Sequence, residues 1–166
     1  MPDDLSRLCI HTITTRPWNI EEAVEHCAAA GVRGITVWRQ WLEGRDPQVV
    51  GERIRAAGLT SVSLCRGGFF PASSASDRRA AIADNLLAVD EAAAIGAPLI
   101  VLVCGASPAV PLPEARKQIQ DGIEAVLPYA AANGIKLSIE PLHPMYADSR
   151  SAINTLKQAN DLCAAI

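Results

Sequence analysis

The sequence predicts an α/β protein built on an all-parallel sheet. Three observations carry this. Alanine-rich segments recur, each leading through a glycine into a short apolar run: HCAAAGVRGITVW, RIRAAGLTSVSLC, EAAAIGAPLIVLVC and YAAANGIKLSIE. The glycines, Gly31, Gly58, Gly96 and Gly134, stand where a helix ends on a residue that accepts the left-handed conformation. Each run that follows is apolar or β-branched over about five residues, as in strands buried on both faces of a parallel sheet. Strict strand–helix alternation implies parallel pairing with right-handed crossovers. Two architectures satisfy the pattern. One is a five-stranded doubly wound sheet, and the other is part of an eight-unit barrel, which takes about 250 residues.

The elements read in order as follows. A strand near 8–13 opens the chain. Asn19, with Glu22 three residues later, forms a capping box for a helix over 20–30. A strand over 34–38 follows. Asp46 before Pro47 places a cap ahead of a first-turn proline, so 47–57 is helical. A strand over 60–65 leads to a helix over 77–95, with Asp77 at its start. A strand over 98–104 leads to a helix over 112–133, opened by Pro113 and Glu114. A strand over 136–140 and a helix over 151–166, begun by Asp148 or Ser151, complete five βα units. No linker or low-complexity stretch divides them, so residues 1–166 read as one domain. FFPASSAS and GASPAVPLP fall after strands, as loops. The chain stops at Ile166 within or at the end of a helix, which reads as a cut.

Composition narrows the function classes. The chain has 166 residues, 49% hydrophobic and 20% charged, with net charge −3, and is expected to be soluble and globular. No basic stripe appears, so no nucleic-acid partner is expected. Its apolar runs, such as PLIVLVCG, are too short to span a bilayer, and MPDDLSR is too polar for a secretory signal. Five cysteines, Cys9, Cys27, Cys65, Cys104 and Cys163, are scattered without a CxxC pair. That argues against a disulfide framework or a zinc knuckle and for the reducing cytoplasm.

In either architecture ligands bind at the carboxyl ends of the strands. The residues there are His11, Trp38, Cys65, Arg66, Phe69, Glu140 and His143. The aromatic residues other than Tyr129, namely Trp18, Trp38, Trp41, Phe69, Phe70 and Tyr146, gather at these same positions. There they suit either an apolar pocket wall or a cap on the rim. Glu140 ends the run Leu137, Ser138, Ile139. A carboxylate in such a place is rarely buried without a partner or a metal. It would ligate a divalent cation or take a proton alpha to a carbonyl, or else pair with Arg16, Arg39 or Arg66. His143 is stiffened by the prolines of P-L-H-P, which suits an aimed imidazole and a satisfied loop histidine equally. His11 is open in the same way, as a substrate contact or a core-edge residue. Arg66 with Gly67 and Gly68 could form an anion nest. Cys65 lacks a partner base in the sequence and reads first as pocket lining. No nucleotide-binding glycine motif, G-x-S-x-G or H-E-x-x-H is present.

TTRPW, SLCRGGFF, NLLAVDEAAAIGAP and IEPLHPMYADSRSAINTLKQANDLC together resemble the sugar phosphate isomerase/epimerase group. That group belongs to the xylose-isomerase-like TIM barrel superfamily, with the tagatose/psicose epimerases, hydroxypyruvate isomerase, inosose dehydratase and endonuclease IV. The resemblance covers essentially the whole chain and implies the first five βα units of an incomplete TIM barrel. It implies a divalent metal ion (Mn, Mg, Co or Zn), with Glu140 as a ligand and as the catalytic acid/base. The other ligands, an Asp, a His and a second Glu, come from the sixth to eighth strands, which this sequence does not reach. His143 and Cys65 match pocket positions, and Trp38 and Phe69 look like pocket wall. The implied activity is an isomerase or epimerase of a small keto sugar or polyol derivative. A dehydratase on an inosose or dehydroshikimate is the nearest alternative. A repair endonuclease would need several zinc-binding histidines and a basic face, against three histidines and a negative charge here. The non-enzyme alternative is a half-barrel binding module that dimerises through its strand edges.

Overall fold

The computed structural model describes residues 5–166; residues 1–4, the start of MPDDLSR, lie outside them. The strands are β1 (Cys9–His11), β2 (Gly34–Trp38), β3 (Thr60–Gly68), β4 (Leu99–Val103) and β5 (Lys136–Ile139). They alternate with the helices α1 (Ile20–Ala29), α2 (Pro47–Ala56), α3 (Ala75–Ile95), α4 (Leu112–Ala132) and α5 (Leu156–Ala165). All pairings are parallel, in the order β1-β2-β3-β4-β5. A doubly wound sheet reverses its order at a switch point. This one never does, so of the two architectures the sequence allows, the chain adopts the barrel type, as five βα units of a partial TIM barrel.

The helix starts follow local chemistry. Asn19 Oδ1 accepts from Glu22 N while Glu22 Oε2 accepts from Asn19 N, both at 2.9 Å, completing the capping box of α1. Asp46 accepts from Gln48 N at 2.8 Å, with Pro47 at the first helical position of α2.

Several boundaries differ from the sequence reading. The first strand stops at His11, because the Thr14 and Thr15 hydroxyls donate to His11 O and Thr12 O and curl 12–15 into a 3-10 turn. The cap of α3 is Ser74, whose hydroxyl accepts from Asp77 N at 3.0 Å, so Asp77 lies inside the first turn. The last helix begins at Leu156, capped by Thr155, and not near 151. Ser151 is bridged to Gly105, and its hydroxyl donates to Ile153 O and accepts from Ile153 N. These bonds hold the backbone out of the helix for another turn.

One core lies between the sheet and its helices. Ile35, Val37, Leu64, Ile100 and Leu102 face Ile20, Val24, Ile54, Val89 and Ile119 across it. Side chains alternate along a strand, so the residues between these point to the other face. In β5 the expectation of burial on both faces holds on the helix side alone. Leu137 and Ile139 are half-buried against the core, while Lys136 and Ser138 are exposed. β1 and β5 are the sheet's two edges. Trp41 and Phe70 also belong to the core, the latter lying against Gly122. Among the described residues no helix is long and apolar enough to cross a membrane.

β3 runs three residues further than the sequence reading, through Gly67 and Gly68. Asn85, buried on α3, holds this extension. Its Oδ1 accepts from Gly68 N at 2.7 Å, and its Nδ2 donates to Gly68 O and Ala81 O at 2.8 Å. The Gly68 N–H is thus committed to a side chain, which removes it from the anion nest the sequence suggested.

Candidate functional site

The site forms on the open face of the sheet, at the carboxyl ends of the strands. Ile10, Leu64 and Ile139 point into the core, so His11, Cys65 and Glu140, each the next residue, point the other way. Trp38 pairs in register with Cys65, Cys65 with Val101, and Val101 with Ser138. Glu140 stands two residues past Ser138 on the same face, its N–H donating to Leu102 O at 3.0 Å. A polar chain lies beneath, with Cys9 Sγ 3.4 Å from Thr36 Oγ1 and Thr36 Oγ1 2.8 Å from Ser63 Oγ.

The structure thus brings His11, Trp38, Cys65 and Glu140 onto one surface. Trp38 Nε1–H donates to His11 Nδ1 at 3.2 Å. Neutral His11 therefore carries its proton on Nε2, which is exposed and available as a donor. The Trp38 backbone N–H donates to Thr12 Oγ1 at 3.0 Å, fixing the end of β2. Arg66 sits at the register shift of β3 with its guanidinium carbon 4.0 Å over the Phe69 ring. Phe69 has φ +57°, a left-handed conformation that costs a bulky side chain roughly 1–3 kcal/mol. Bonds from Phe69 N to Val103 O and from Phe70 N to Cys104 O hold it there.

His143 lies in the loop after β5. Its Nδ1 accepts from Met145 N at 3.2 Å, capping the short 3-10 turn Pro144–Tyr146. The bond from Leu142 N to Ile153 O and that from Asn154 Nδ2 to Leu142 O pin the loop. His143 is exposed, and its described bond is to its own turn.

Glu140 is exposed, and no hydrogen bond or ion pair engages its side chain among the described residues. Each arginine that sequence reasoning offered as a partner is placed elsewhere. Arg39 reaches Asp84 at 2.7 Å and Glu91 at 2.6 Å, fastening the end of β2 to α3. Arg16 lies over Trp41 and Arg66 over Phe69. The sequence reading missed this Arg39 cluster, and with it Asn85. The signal for Asn85 was a polar residue on the apolar face of the third helix.

Burial pushes the Cys65 thiol up to about 12, the nearby Glu140 carboxylate adds to this, and Arg66 opposes it. Cys104 is likewise pushed up to about 12 by burial. Both thiols are protonated at neutral pH, so neither is a ready nucleophile. Their folded pKa values lie above the unfolded one. The stability this represents is complete below pH 9 and is lost as pH rises toward 12, by at most about 1.4 kcal/mol per pH unit for each thiol. Urea unfolding between neutral pH and pH 11 should show this decline, and the Cys65→Ala/Cys104→Ala double variant should flatten it. An equal decline in that variant would assign it to other groups.

A divalent cation needs several converging donors. Among the described residues no three His, Cys, Asp or Glu side chains converge, and Glu140 offers one carboxylate. These residues do not by themselves fit a metal.

A family model described as "Xylose isomerase-like TIM barrel" matches residues 24–166. Protein SMc04130 from Sinorhizobium meliloti 1021 superposes with a TM-score of 0.91 at 46% identity, over 95% of this chain and 58% of that one. D-psicose 3-epimerase, solved in the presence of D-fructose, gives 0.80 at 15% identity over 94% of this chain and 58% of that one. The IOLI protein with a binding zinc atom gives 0.79 at 18% identity over 95% and 58%. The last two likenesses show the fold alone. The chain spans 58% of the length of each of these three structures. No curated protein matches it in sequence.

Proposed function

The chain belongs to the xylose isomerase-like TIM barrel family, and from that premise we propose that it forms the first five βα units of a sugar isomerase or epimerase. The reaction is proton transfer at the carbon alpha to the carbonyl of a small keto sugar or polyol derivative. One observation carries the reading: Glu140 presents a carboxylate without a partner among the described residues at the carboxyl end of β5, on the open face beside Cys65.

Glu140 takes the alpha proton and, for isomerisation, returns it to the neighbouring carbon on the same face; epimerisation would need a second acid on the opposite face, supplied from outside these residues. The Nε2–H groups of His11 and His143 donate to substrate hydroxyl or carbonyl oxygens. Trp38 and Phe69 wall the pocket against the C–H face of the sugar. Cys65 stays a neutral lining group, and Arg66 meets a polar substituent. Glu140 is also the carboxylate through which these residues would contribute one oxygen to a divalent ion. The remaining donors lie outside them, so no step here depends on that ion.

The test follows the alpha proton. The protein encoded by the whole reading frame, supplied in turn with Mn, Mg, Co and Zn, is incubated with D-psicose, D-tagatose and D-fructose in heavy water. Loss of the alpha C–H signal by NMR, with product mass otherwise conserved, is the expected result. A product lighter by one water would replace the isomerase with a dehydratase. No exchange with any of the three sugars would overturn the proposal.

A further inference from the structure

Resting on the proposed sugar chemistry only for where it sits, we infer that Arg66 and Arg150 form a subsite for an anionic group, a carboxylate or phosphate carried by the substrate. Arg66 lies near the carboxyl end of β3 and Arg150 in the loop after β5. Backbone contacts through Gly105 hold those segments side by side. Gly105 N donates to Arg150 O at 2.9 Å, and a Cβ built on Gly105 would lie 2.6 Å from Phe69 Cα. Each guanidinium is supported by a ring, Arg66 at 4.0 Å from the Phe69 centroid and Arg150 at 5.5 Å from that of Tyr146.

Among the described residues neither arginine has a carboxylate partner. Asp84, Glu91 and Glu43 line the same cavity as Arg66; the first two are held by Arg39, and none of the three forms an ion pair with Arg66. Arg66 is half-buried. Burial pushes its guanidinium down from its ordinary value, and the charge of Arg150 pushes the same way, with Arg39 adding to it and Cys65 and Asp84 opposing. A partly desolvated cation near a second cation is costly unless an anion offsets the two charges. Guanidinium forks match the paired oxygens of carboxylates and phosphates. Arg66 is also the residue next to Cys65, which feels the Glu140 carboxylate. A substrate anchored by its anion would therefore lie with its charged end toward Arg150 and its reacting end toward Glu140. That orientation also keeps the two negative groups apart.

The experiment is calorimetric titration of the protein encoded by the whole reading frame with inorganic phosphate, D-gluconate and neutral D-fructose. One of the two anions is expected to bind, and Arg66→Gln and Arg150→Gln are each expected to weaken it about 10–100-fold. Binding of D-fructose should change little. Phosphate binding alone assigns a phosphorylated substrate, and gluconate binding alone assigns a sugar acid. Arg150 is exposed in a loop, so its variant tests the subsite even if Arg66→Gln melts early. Failure of both anions to bind, or binding indifferent to both substitutions, would overturn the inference. Arginine-dependent anion binding without alpha-proton exchange would instead overturn the proposed function and leave the subsite standing.

Discussion

Glu140→Gln, made in the protein encoded by the whole reading frame, is expected to cut alpha-proton exchange about 10²–10⁴-fold, the usual contribution of a positioned general base. Gln keeps the length and shape of Glu but cannot accept the proton. Glu140 is exposed and its side chain has no partner among the described residues, so the substitution removes no bond the fold relies on. The melting temperature should therefore stay at the wild-type value while turnover collapses. Anion binding at Arg66 and Arg150 should survive as well. Unchanged exchange with an unchanged melting temperature would remove Glu140 from the chemistry. A fall in both would mean that the carboxylate serves stability.

The largest stability effect is expected at Gly68→Ala, at more than about 4 kcal/mol, a range reserved for backbone conflict or loss of a buried network. Gly68 has φ +104°, which side chains rarely adopt. An added Cβ would lie 2.0 Å from Val103 O and 2.6 Å from Val103 C. Those atoms are β4 backbone, and Val103 O also accepts from Phe69 N, so they cannot give way without breaking the ladder. Gly134→Ala is the matched control, with φ +70° and nothing within 4 Å of the added methyl. It should cost only the left-handed conformation, roughly 1–2 kcal/mol. Urea titration compares the two, and soluble expression separates them if Gly68→Ala does not fold. A Gly68→Ala protein within about 1 kcal/mol of wild type would show that the end of β3 can detach from β4 at little cost.

Much of the candidate site was visible as a set of strand-end residues, because a parallel sheet places ligands at one end of its strands. The individual partners were not visible. The bond from Trp38 to His11 joins residues 27 apart in sequence, and the clamp from Arg39 to Glu91 joins residues 52 apart. Nothing in the composition of either segment announces such a pairing. The polar Asn85 in α3 was readable as an anomaly, yet its purpose depends on where Gly68 arrives. His143 was equally ambiguous in sequence, and its described bond is to the turn that follows it.

By itself the sequence determined the five βα units, the glycine stops after α1, α2, α3 and α4, the caps at Asn19 and Asp46, and the placement of Glu140 just past the fifth strand. These are short-range properties: each depends on a residue's own backbone preferences and on neighbours within a few positions. Only the tertiary structure decided that the strands run in unbroken order around one arc, because strand order is a matter of which distant segments pair. It also decided that Trp41 and Phe70 go to the core and that Gly67 and Gly68 stay in the ladder. Finally, it left Glu140, Arg66 and Arg150 as charges without opposite partners among the described residues. Burial and charge pairing are sums over neighbours that meet only when the chain has folded, so no local pattern encodes them.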